Sequence, residues 1–212
     1  AADIEFSRGR FSIAGTDRGI GIVELAARLR GGLALPADLP QTLDVAMVVP
    51  GVPSAFPNGC HIAEVEIDPE TGATEIQRYA AIDDVGRAIN PLTVHGQLVG
   101  GTMQGIGGVF LEHLVYDEEG QLLTGSLADY LVPTASDYPQ VRAVITEQHP
   151  SPLNPLGAKG AGEGGTIVAG GVLGNAVSNA LSTLGIQTNQ LPLSPDAIWQ
   201  MVGKAGKNKH AA

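Results

Sequence analysis

The sequence predicts an α+β fold in which mixed strands and hairpins pack with buried glycine-rich helices. Three observations carry this. Residues 61–68 alternate between two faces, with Ala63, Val65 and Ile67 apolar on one and Glu64, Glu66 and Asp68 charged on the other. The apolar segment after Asn90-Pro91 is too long for a strand. A second apolar run follows a glycine loop at 157–165.

Residues 3–13 read as a small hairpin, with Ile4, Phe6, Phe11 and Ile13 apolar around the turn Ser7-Arg8-Gly9-Arg10. Ile20, Val23, Leu25, Ala26 and Leu29 recur near the helical period and predict a short helix over 20–30, stopped by Gly31-Gly32. A Pro/Gly-rich loop then runs to Gly59, interrupted by an expected strand over 43–49. In 61–68, His61, Ala63, Val65 and Ile67 alternate with Ile62, Glu64, Glu66 and Asp68. The turn 68–72 (DPETG) leads to a partner strand expected over 74–85.

The segment TVHGQLVGGTMQGIGGVFLEHL, 93–114, fits a buried helix. Its interior glycines (96, 100, 101, 105, 107 and 108) each cost about 0.5–1 kcal/mol relative to Ala, so close approach of another backbone or a ligand must compensate. Residues 116–121 resemble another hairpin turn and 141–147 another strand. A glycine loop at 157–165 precedes an apolar helix through Leu181. The last helix is expected over 194–202, with Ser194 as cap, Pro195 at its first position and Asp196 in its first turn. No repeat or linker appears, so residues 1–203 are expected to be one unit and 204–212 a flexible tail.

Composition narrows the functional classes. Twelve Lys+Arg against 22 Asp+Glu give a net charge of −10, without a basic stripe to follow a phosphate backbone; no nucleic-acid partner is expected. The lone Cys60 excludes a disulfide framework and any cysteine-rich metal cluster built by this chain alone. The sequence shows neither a membrane-length apolar run nor, in AADIEFSRGR, a signal-peptide pattern. A soluble, cytoplasmic protein is therefore expected.

The stretch GAKGAGEGG, 157–165, places five glycines, one cation and one carboxylate just before a helix, where bare backbone N–H groups can meet an anion. It contains G-x-G-x-x-G, but no strand leads into it, and Lys159-Gly160 has the reverse of the P-loop order, so neither dinucleotide fingerprint applies. Glu163 is a single acid at a helix start; it either serves as a base tuned by poor solvation or caps the helix. Gln97 and Gln104, two turns apart, share one face with Gly100, Gly101 and Gly105. They either read a polar ligand or belong to close helix packing. Asp83-Asp84 point to opposite faces of a strand end, which favours an internal pair with Arg87 over a metal site. The histidines lack ligand spacing, and neither a G-x-S-x-G elbow nor a base beside Cys60 supports nucleophilic hydrolysis.

Four ordered motifs, PNGCHIAEVEIDPETG, DDVGRAINP, GQLVGGTMQGIGG and NPLGAKGAGEGG, resemble the C-terminal molybdenum cofactor-binding region of the xanthine oxidase family, which includes aldehyde oxidase, xanthine dehydrogenase and carbon monoxide dehydrogenase large subunits. The likeness runs from about residue 3 to residue 202. It implies a molybdenum cofactor, in bacterial relatives usually molybdopterin cytosine dinucleotide, and oxidative hydroxylation of a small-molecule substrate such as an aldehyde or N-heterocycle. Glu163 matches the family's glutamate base. Lys159, Gly160, Ala161 and Gly162 match the loop lining the pterin or metal, and Gln97, Gly100, Gly101 and Gln104 match the motif on the cofactor's pterin and phosphate side.

Family large subunits are several times longer. The resemblance therefore implies a fragment or a split molybdenum subunit, partnered by the rest of that subunit and by iron–sulfur and flavin or cytochrome modules on other chains or domains. Alone, this chain is expected not to turn over. The competing readings are a non-catalytic assembly or interaction module that keeps this fold and, more weakly, a nucleotide-phosphate binder using the loop from Gly160 to Gly165.

Overall fold

In the computed structural model, which describes residues 3–48, 51–137 and 139–210, the chain divides into two units, Ala1–Gly51 and Val52–Ala212, where the sequence suggested one. In the first, β1 (Ile4–Ser7), β2 (Arg10–Ile13) and β3 (Gly19–Gly21) form an antiparallel sheet in that order. Ser7 pairs with Arg10, and the two turn residues Arg8 and Gly9 both take positive φ, the geometry that a tight hairpin needs to match strand twist. The strand β3 was not anticipated, because three residues are too few for a pattern. Gly19 permits it: a Cβ there would lie 2.5 Å from the Phe11 carbonyl oxygen. The helix α1 (Ile22–Arg30) consequently starts two residues later than expected.

The strand expected over 43–49 does not form through residue 48, and Val49 lies outside the described residues. Val45, Met47 and Val48 are all strongly exposed, so both sides of the segment face solvent, and among the described residues no neighbouring strand supplies a ladder.

The second unit is built on a three-stranded sheet, β4 (Asn58–Ile67), β5 (Thr74–Asp84) and β6 (Val141–Thr146), in the order β4-β5-β6. The first pair is antiparallel, with an irregularity at Glu64/Val65, and its turn is fixed by Asp68, whose carboxylate accepts from Glu70 N and Thr71 Oγ1. The second pair is parallel, from Tyr79↔Val141 to Asp84↔Thr146. Between β5 and β6 the chain forms α2 (Pro91–Phe110), capped by Asn90 Oδ1 accepting from Thr93 N. It ends four residues early, where Leu111 N and Glu112 N both donate to the Gly107 carbonyl. The 116–121 hairpin reduces to one bridge, Tyr116↔Leu122.

Beyond β6 come α3 (Gly164–Ala180) and α4 (Pro195–His210). Ser194 Oγ accepts from Ala197 N at 3.3 Å, as the sequence predicted, but the helix continues through most of the expected tail. Leu98, Ile106, Leu173, Val177 and Ile198 pack with Tyr79 into one core.

Candidate functional site

The functional geometry begins where α2 crosses α3. Gly101, Gly105 and Gly165 remove side chains from this crossing: a Cβ on Gly105 would overlap that of Ala169, and one on Gly165 would overlap the Leu98 carbonyl and lie 2.5 Å from Thr102 N. Thr166 Oγ1 donates to the Gly101 carbonyl at 2.9 Å. Gly101 therefore serves helix packing. Gln97, Gly100, Gln104 and Gly108 lie on the exposed face of the same helix, where added methyl groups at Gly100 and Gly108 would meet nothing within 4 Å.

The loop before α3 is docked at its start. Asn154 latches Ala158 twice, with Ala158 N donating to Oδ1 and Nδ2 donating to the Ala158 carbonyl. Ala158 bridges Gly86, Lys159 N donates to the Val85 carbonyl, and Gly160 N donates to the Ala55 carbonyl at 2.8 Å. Among the described residues, the N–H groups of Ala161, Gly162 and Glu163 donate to no backbone carbonyl. They lie at a helix N-terminus, an arrangement suited to an anionic or oxygen-rich ligand.

Loop and helix meet in a cleft of about 290 Å³ lined in part by Gln97, Asn90, Lys159, Ala161 and Gly162. A Cβ on Gly162 would stand 3.5 Å from Gln97 Nε2. Next in the chain, Glu163 is the residue before α3, with φ −119° and ψ 2°, and its side chain makes no capping hydrogen bond. This disposes of helix capping as the role of its carboxylate. The expected poor solvation is not seen: Glu163 is exposed. Gln104 and Gly100 lie farther along the open face of α2 and do not line this cleft.

The acidic pair departs from expectation. Asp84 does not pair with Arg87, whose residue is exposed; its carboxylate accepts from Lys159 Nζ at 3.1 Å, and Lys159 also donates to Asn58 Oδ1 at 2.9 Å. Sequence proximity suggested Arg87, whereas the Gly86–Ala158 bridge delivers a cation from the distant loop. Asp83 instead lies 3.3 Å from His61 Nε2, within a buried group that includes the Tyr79 hydroxyl. Burial works to raise the Asp84 carboxyl, but hydrogen bonds from Gly86 N, Lys159, His149 and Gln148 N outweigh it and hold it well below the ordinary value. No group of three or more metal-ligating side chains occurs among the described residues.

The profile of the molybdopterin cofactor-binding domain family matches residues 1–139. The chain belongs to that family. It is a cofactor-binding portion of the xanthine oxidase type, and its sequence is 39% identical over 198 residues to the gamma subunit of the 6-hydroxypseudooxynicotine dehydrogenase complex of Paenarthrobacter nicotinovorans, covering 93% of this chain and 25% of that protein. The carbon monoxide dehydrogenase large chain of Afipia carboxidovorans is 32% identical over 151 residues, which is 71% of this chain and 18% of the relative. The crystal structure of quinoline 2-oxidoreductase from Pseudomonas putida 86 superposes with a TM-score of 0.84 and 36% identity, over 96% of this chain and 26% of that one. The cofactor-binding chain thus spans about a quarter or less of these relatives' length.

The residues present fit one side of such a cofactor. The cleft offers a carboxamide, unpaired main-chain N–H donors and glycines that let a ligand approach the backbone. Its volume lies at the lower edge of the roughly 300–1,000 Å³ usual for small-molecule sites, as one wall of a larger pocket would.

Proposed function

We propose that this chain is the C-terminal portion of the molybdenum-binding part of a hydroxylase acting on an aldehyde or N-heterocycle, with Glu163 as the base. The observation that carries the reading is the shared cleft in which Gln97 Nε2 faces Gly162, the residue next to Glu163. Gln97 offers amide donor and acceptor groups to the pterin side. The main chain of Lys159, Gly160, Ala161 and Gly162 supplies close approach, and Gly100 and Gln104 extend the contact along the exposed face of α2, while Gly101, buried against α3, sets that face in place by packing. Molybdopterin cytosine dinucleotide is the form proposed; when bound, the cofactor supplies the two-electron acceptor for hydroxylation.

In this reading the Glu163 carboxylate, uncommitted to capping, takes up a proton at the reacting oxygen. The remainder of the molybdenum subunit completes the pocket and excludes water from a carboxylate that stands exposed in this chain. Leu92 and Ile167, exposed at 82% and 72% in the first turns of α2 and α3, offer that remainder an apolar seat. Iron–sulfur and flavin or cytochrome modules on other chains or domains remove the electrons, and the chain alone does not turn over.

The test is Glu163→Gln in the intact assembly. Turnover should fall below detection while molybdenum content stays near that of the unaltered enzyme, the pattern of a lost proton acceptor in a loaded site. Turnover at the original rate sinks the assignment.

A further inference from the structure

The two adjacent acids at the end of β5 reach opposite ends of the loop that carries Glu163. Asp84 takes the start. Its buried carboxylate accepts from Gly86 N (3.0 Å), Thr146 Oγ1 (3.2 Å), Gln148 N (2.9 Å) and His149 N (3.0 Å), lies 3.2 Å from His149 Nδ1, and accepts from Lys159 Nζ. The Lys159 side chain is 8% exposed, and its ammonium is held between Asp84 and Asn58. Beside it, Gly86 takes φ +64°, and a Cβ there would overlap the Gly157 carbonyl oxygen, so residues 157–159 lie directly on residues 85–87.

Asp83 takes the other end, because successive strand residues face opposite ways. A Cβ on Gly164 would lie 2.9 Å from Asp83 Oδ2, so this carboxylate sits against the first residue of α3, where the helix end favours an anion. The His61 ring, its side chain 1% exposed, stands 3.3 Å from Asp83 and 3.0 Å from Tyr79 Oη. Burial, aided by the charge on Asp83, pushes the Tyr79 hydroxyl up to about 12, so it keeps its proton. The ring thus bridges the two side chains, Nε2 toward Asp83 and Nδ1 toward the Tyr79 hydroxyl.

Glu163 lies between these anchors, four residues after Lys159 and one before Gly164, and its own side chain does not tie it to the helix. We infer that Asp83 and Asp84 are positioning residues for Glu163, holding the loop at both ends, and that the Lys159 side chain is the latch to Asp84 and not a cofactor contact. The inference rests on the reading of Glu163 as the base. Each acid acts through the loop and touches no reacting atom.

The experiment makes Asp83→Asn, Asp84→Asn and Lys159→Gln in the intact assembly and reads hydrogen exchange, steady-state kinetics and molybdenum content. Amides of 157–165 should exchange at least about tenfold faster, while those of 98–109 in α2 keep their protection. The kcat should fall by up to about 100-fold with KM unchanged, as for a displaced catalytic group. Molybdenum content should hold in Lys159→Gln; its loss would return that side chain to the cofactor. Unchanged loop exchange overturns the clamp, as does loosening spread equally through α2 or a raised KM with kcat intact. Should Asp84→Asn not accumulate as folded protein, Lys159→Gln removes the same contact and carries the test. Full turnover in Glu163→Gln sinks the base assignment separately, and the exchange data then judge the clamp alone.

Discussion

Gly86 shows how much one residue can decide near this site. Its φ of +64° is unfavourable for a side chain, and a Cβ would collide with the Gly157 carbonyl oxygen, so the strand-to-loop contact requires bare backbone. Gly86→Ala should cost about 1–3 kcal/mol through strain alone, read as a lower thermal midpoint, and limited proteolysis should cut near 157–163 faster than in the unaltered protein. An unchanged midpoint and cleavage pattern would contradict this placement. At this scale the sequence exposed Glu163, a lone acid among glycines, and the structure frees it from capping. The partner of Asp84 was hidden, because Arg87 is near in sequence while Lys159 arrives only through the Gly86–Ala158 bridge. The signal that was available is Asn154-Pro155-Leu156-Gly157, an Asn turn closed by a left-handed glycine that aims the loop at β5.

The element that best separates packing from binding is α2, whose glycines divide between two faces. Gly105 meets Ala169 across the crossing with α3, whereas Gly100 faces open space. Gly105→Ala should overpack that crossing and destabilise by about 1–3 kcal/mol. Gly100→Ala should preserve or raise stability by up to about 1 kcal/mol, as Ala does for Gly in a helix interior. In the loaded assembly Gly100→Ala should nonetheless lower molybdenum content, because the methyl group intrudes on the face assigned to the cofactor. Denaturant titration and metal analysis together check the pair, and equal destabilisation by both would erase the division. The helix itself was legible from the length of its apolar run, though its start at Asn90-Pro91 was not, and the β4–β5 hairpin was legible from its alternation and the Asp68 turn. The strand expected over 43–49 shows the limit of such readings: local composition records a preference, and a strand forms only where another strand supplies hydrogen bonds. The extent of α4 was missed because residues 204–212 lack the apolar periodicity that marks a helix in sequence.

For the molecule as a whole, the charged groups in Val52–Ala212 define how stability responds to pH. Asp84, Asp68 and Asp137 are all held below the ordinary carboxyl value of 3.8, Asp68 chiefly by Thr71 and Asp137 chiefly by Thr134. An acid depressed in the folded state leaves the unfolded chain binding more protons near and below its ordinary value. Its contribution is therefore present above that value and lost as pH falls through the folded one. Tyr79 has the opposite sign: raised from 10.0 to about 12, it holds its proton longer when folded, so its contribution is present below 10 and lost as pH climbs toward 12. The urea midpoint should accordingly show a plateau between these limits, a decline below pH 4 and another above pH 10. Asp84→Asn should lower the plateau and flatten the acid decline, because the amide cannot titrate and leaves Lys159 without its carboxylate. Tyr79→Phe should flatten the alkaline decline and leave the acid one in place. An acid limb undiminished in Asp84→Asn would assign it to Asp68, Asp137 and the remaining carboxylates, and would remove Asp84 from the groups whose ionisation holds the loop.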